Sequence, residues 1–146
     1  MEAFTSGNLG LLDFEEIKPL YDAMANDIKF QQSRIGGDFA CAFAVHSRQI
    51  RDNIRKILPE VIFVTLTLTE ECQLARLMKR HGDTAHGIAE TMAKVNEAFE
   101  LPGENEENTF NIAITESMEP TDVVSKTLAL IGNDSEFELH TVNHRK

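Results

Sequence analysis

The chain has 146 residues, of which 42% are hydrophobic and 26% charged, and its formal net charge is −10. That length suits one domain with its own core, and the composition excludes disorder over the whole chain. The acidic excess argues against a nucleic-acid partner, because phosphate binding rests on clustered Lys and Arg. No apolar run approaches the ~20 residues that span a bilayer, and no basic segment followed by an apolar stretch opens the chain. A cytoplasmic protein with no membrane partner is the expectation.

Residues 1–12 are weakly patterned, with Gly7 and Gly10 as breakers. Asp13 reads as an N-cap with Glu16 completing a capping box. Phe14, Ile17, Leu20, Tyr21, Met24 and Ile28 then recur at helical spacing, with Pro19 inside the pattern as a kink or a shifted start. Ile35 to Asp38 is a break. Phe39 to Val45 reads as a short strand, apolar on both faces as in a parallel sheet. Ser47 to Leu58 is an amphipathic helix with Ile50, Ile54, Ile57 and Leu58 inward and Arg48, Arg51, Asp52 and Arg55 outward, closed by Pro59.

Val61 to Leu68 is rich in β-branched residues and reads as a strand. Thr69 caps the next helix, whose stripe is Leu74, Leu77 and Met78 and which ends near Gly82. Residues 83–87 read as a loop and Ile88 to Phe99 as a helix closed by Pro102 and Gly103. Glu104 to Asn108 reads as a solvated acidic turn. Thr109 to Ile114 is a third strand, and Pro120 opens a last helix that Gly132 closes. The alternation predicts an α/β fold over residues 1–132: three layers, with a mainly parallel sheet of about three to four strands flanked by helices. Residues 133–146 read as a polar tail.

The cations fall in two groups, Arg48, Arg51, Arg55 and Lys56, then Arg76, Lys79 and Arg80. Arg76 and Arg80 lie one helical turn apart and point the same way. Cys41 and Cys72 read as buried thiols rather than a disulfide. No metal site is expected: His81 and His86 flank Gly82 without partners at zinc-ligand spacing, and the acidic run lacks a calcium loop's alternating oxygens. His46 follows the expected strand 39–45 at its carboxyl end, where α/β sheets place ligands.

One stretch carries more than a generic α/β pattern. A strand with Phe43-Ala44-Val45-His46 precedes Ile50-Arg51-Asp52 on a helix. Strand 61–68 follows, then Arg76 and Arg80 on a helix, then Phe99-Glu100-Leu101-Pro102 with Glu106 or Glu107 beyond. This order resembles the C-terminal two-thirds of small-molecule P-loop kinases, the gluconate kinase, shikimate kinase and adenylate kinase group. The likeness covers about residues 38–132. It implies a lid helix whose Arg76 and Arg80 neutralise a transferring phosphoryl group, and an Arg51 that faces the acceptor. On that reading Arg51, Arg55, Arg76, Arg80 and His46 are the phosphate- or substrate-binding candidates. The competing reading makes the arginines a solvated face paired with nearby acids.

The same family opens on a Gly-x-x-x-x-Gly-Lys-[Ser/Thr] loop that wraps main-chain N–H groups around the nucleotide phosphates. No glycine of this chain is followed by lysine. The sequence thus reads as a truncated P-loop-kinase-like domain, with no catalytic residue assigned and no cofactor of its own. ATP and Mg²⁺ enter only if the loop is supplied from elsewhere. A non-catalytic binding or assembly module is the leading expectation. The alternatives are a divergent or fragmentary small-molecule phosphotransferase, acting on a sugar acid or nucleotide, and an α/β domain binding a phosphorylated small molecule. The loop-bearing strand is central in the family's sheet, so its loss leaves two strands unpaired. Those edges point to direct pairing, to filling by either terminal segment, or to a homo-oligomer.

Overall fold

A computed structural model describes residues 13–42 and 44–132. The expected polar tail, and the patterning of residues 1–12, lie outside them. In chain order the elements are α1 (Phe14–Ile35), α2 (Arg48–Ile57), β1 (Phe63–Thr67), α3 (Glu70–His81), a 3₁₀ turn (Gly82–Thr84), α4 (Ala85–Ala98), β2 (Thr109–Ala113) and α5 (Pro120–Leu130). The chain is α/β.

α1 begins as its capping box dictates: Asp13 and Glu16 satisfy each other's end of the helix. Pro19 sits inside α1 without ending it. As the sixth residue of α1 it lies beyond the first turn, and its missing N–H leaves the Glu15 carbonyl without its helical donor. The buried stripe Ile17, Tyr21 and Ala25 packs against Ile50 and Ile54 of α2, with Val45, Val61 and Phe63 at the margin. Each isoleucine so buried contributes roughly 1.5–3 kcal/mol relative to exposure. The Tyr21 hydroxyl, inside this contact, donates to the Ala44 carbonyl and fixes the chain ahead of α2.

β1 and β2 run parallel, with Phe63 beside Thr109 and Thr67 beside Ala113. Phe63 N–H donates to Asn108 O at 2.9 Å, and Ile114 N–H donates to Thr67 O at 2.7 Å. Odd-numbered residues of β1 therefore bond toward β2, which turns the peptide groups of Val64 and Leu66 to the opposite edge. No backbone partner meets that edge among the described residues. Asn108, just before β2, takes the left-handed conformation (φ 50°), which Asn tolerates better than most residues.

Several expectations differ from the structure. The sheet has two strands among the described residues, where the pattern predicts three to four. The described residues of segment 39–45 form no strand; Phe39 and Cys41 are exposed, and Phe43 lies outside the described residues. An apolar run becomes a strand only where a neighbouring strand takes its N–H and C=O groups, and no strand among the described residues does so here. Cys72 is buried as expected, but Cys41 is not, and both are free thiols. A smaller correction concerns α4, which starts at Ala85, so part of the expected loop at 83–87 is helix.

Candidate functional site

Ser47 caps α2 by accepting from Ile50 N–H at 3.2 Å. With Ile50 and Ile54 turned to α1, the helix carries Arg51 and Arg55 to the connection between α4 and β2. That connection turns at Pro102-Gly103, closed by Glu106 N–H on Gly103 O at 3.0 Å, which swings the Glu106 side chain inward. Arg51 Nε meets Glu106 Oε1 at 2.6 Å and Arg51 Nη2 meets Oε2 at 3.1 Å, a two-pronged pair. Arg51 Nη1 donates to Glu100 O at 3.0 Å. Arg55 adds Nη2 contacts to Glu106 Oε1 at 2.9 Å and Thr109 Oγ1 at 2.8 Å, and Nη1 reaches Asp52 Oδ1 at 2.7 Å. Its guanidinium also lies 4.9 Å from the centre of the Phe63 ring.

The other end of the connection is fastened too. Glu100 N–H donates to His46 O at 2.7 Å, and Glu100 Oε2 accepts from Arg48 N–H at the start of α2 at 3.1 Å. A carboxylate there suits the positive end of the helix. Residues 99–109 are thus clasped along α2. Arg51 is 1% exposed and Glu106 6%, so the outward orientation that periodicity assigns to Arg51 is corrected: the residue is interior. The solvated turn expected at 104–108 is likewise corrected at Glu106.

Arg51 first, against the opposing effect of burial, and then Arg55 hold the Glu106 carboxyl at about 2, well below its ordinary 4.5. His46 is buried beside the clasp, with Nδ1 lacking a hydrogen-bond partner among the described residues. Burial, and secondly the Arg51 charge, lower its pKa below 6.5.

Of the five candidates, Arg51, Arg55 and His46 come together at this clasp. Arg76 and Arg80 do not join them: both are exposed on α3. Arg76 Nη2 lies 3.4 Å from Thr115 O at the edge of a second feature, an apolar cleft of about 290 Å³. Leu66, Leu68 and Ile114 from the sheet and Met118 and Val123 from the α5 side line it, with Arg76 and Glu119 as its charged groups. It opens at the carboxyl ends of both strands, the usual ligand position in α/β sheets. Sequence reading missed Glu100 and Glu106 as partners of α2, although the Phe99 to Glu107 segment belonged to the resemblance.

Among the described residues no group of three or more His, Cys, Asp or Glu is placed to hold a metal ion, and no helix is long and apolar enough to cross a membrane. Compared with models of known families, with curated proteins and with solved structures, the chain matches none.

Proposed function

We propose that this chain is a P-loop-kinase-like domain that works as a binding or assembly module and does not itself transfer phosphate. The observation that carries the reading is the state of Arg51 and Arg55. The resemblance offers Arg51 to an acceptor substrate, yet it is buried and bound two-pronged to Glu106, which Arg55 also holds. Recruiting Arg51 to a ligand means breaking a buried ion pair, at a cost of ~3–5 kcal/mol if Glu106 is left uncompensated. The lack of any Gly-Lys step in the sequence supports the same reading. The edge of β1 that no described residue pairs supports assembly, because N–H and C=O groups beside a half-exposed Leu66 can accept a further strand.

A second reading has one observation in its favour. The cleft beside Arg76 combines apolar walls with a cation at the sheet's carboxyl end, which suits a small molecule with an anionic group such as a phosphate.

Light scattering on the eluting chain, together with thermal melts in millimolar ATP·Mg²⁺, ADP, AMP and phosphosugars, tests both. A dimer or higher species that no ligand stabilises is the expected result. A monomer overturns assembly. Stabilisation by monophosphates alone moves the function to the cleft, and stabilisation by ATP·Mg²⁺ contradicts the proposal.

A further inference from the structure

His46 lies just ahead of α2 and belongs to the clasp through its own carbonyl, which accepts the Glu100 amide. Its imidazole is buried, and Nδ1 is shut off from solvent with nothing to bond to among the described residues. Charged and titratable groups lie on the three elements next to it. From α2, the Arg51 guanidinium acts on it as a like charge would on an imidazolium, and the Arg48 amide holds the Glu100 carboxylate. From the 99–109 connection, the Glu100 and Glu106 carboxylates are already committed to α2. From α1, the Tyr21 hydroxyl is spent on the Ala44 carbonyl. None of these bonds to Nδ1.

A neutral ring is compatible with that position. An imidazolium is not: it needs an acceptor for a second N–H, and it places a positive charge beside Arg51. We propose that His46 is a proton-operated latch, whose protonation loosens the 99–109 connection from α2 and uncovers the donors of Arg51 and Arg55. The sign follows from the geometry. The folded chain favours the neutral ring, so the clasp is fully stable above the ordinary histidine value of 6.5 and weakens as pH falls below it. Glu106 stays ionised over that range because Arg51 and Arg55 hold its carboxyl at about 2. Opening between 6.5 and 4.5 therefore does not need protonation of Glu106. The inference holds whether or not the chain assembles.

An NMR titration of the full chain from pH 8 to 5 tests it, following the His46 ring, assigned with His46→Gln, and the amides of Arg48 and Glu100. The expected result is a His46 midpoint below 6.5, with both amides moving at that midpoint. Below it the Glu100 amide loses exchange protection by roughly tenfold, beyond the intrinsic effect of pH. Amides that stay fixed while His46 titrates overturn the latch, as does an unchanged response in His46→Gln. Should that variant fail to fold, the wild-type titration decides alone: amide midpoints that coincide with the ring's support the latch, and midpoints that differ overturn it.

Discussion

Arg51 on α2 and Glu106, 55 positions further along the chain, form a buried two-pronged ion pair. One relationship thereby ties the helix next to the α1 core to the segment that feeds β2. The pair is expensive to bury and more expensive to break, because each partner alone leaves a charge without compensation. It determines what the two arginines can do for an outside ligand.

Acid should unfold the chain through Glu106. The folded carboxyl is held at about 2 against an ordinary 4.5, so the unfolded chain binds the proton first. The contribution, on the order of 3 kcal/mol, is complete above pH 4.5 and is lost as pH falls toward 2. Denaturant unfolding across this window should show the loss in wild type and a flatter profile in Glu106→Gln.

Removing the Tyr21 hydroxyl should cost about 1–2 kcal/mol, because it leaves the Ala44 carbonyl without its donor inside a packed contact. Urea midpoints of Tyr21→Phe measure this. A loss near zero would mean that water replaces the phenol.

Arg76→Ala and Arg80→Ala together should change stability by under ~0.5 kcal/mol, since both side chains are exposed on α3. Thermal melts check the figure. The same double variant should abolish any monophosphate response at the cleft, if wild type has one.

Leu66→Lys should leave the fold within ~1 kcal/mol of wild type, because the side chain is already 49% exposed. A charge on this open edge should oppose strand addition. Self-association seen by light scattering should disappear while the melting curve stays. Retained association would place the interface elsewhere.

Local chemistry made most of the helices legible. Asp13 with Glu16, Ser47, Thr69, Pro120 and Gly82 mark ends that the structure keeps, because caps act within one turn of the backbone they satisfy. β1 was legible from its β-branched content and β2 from its alternating character. The segment 39–45 was misread because apolar composition does not say whether a neighbouring strand exists to pair with it. Arg51 was misread for a similar reason. Helical spacing places it near the border of the buried stripe, and the deciding partner sits in an acidic run whose composition alone suggests solvent. Only the turn at Gly103 brings Glu106 back to α2, and that contact is invisible to periodicity.

Arg51 and Glu106 are spent on each other. A double-mutant cycle with Arg51→Met and Glu106→Leu, read by urea unfolding, measures that directly. Each single change should cost ~3–5 kcal/mol and the pair far less than their sum, with a coupling of roughly 2–3 kcal/mol. Effects that add to within ~0.5 kcal/mol would show two independent residues, and would return Arg51 to the list of groups free to meet a ligand.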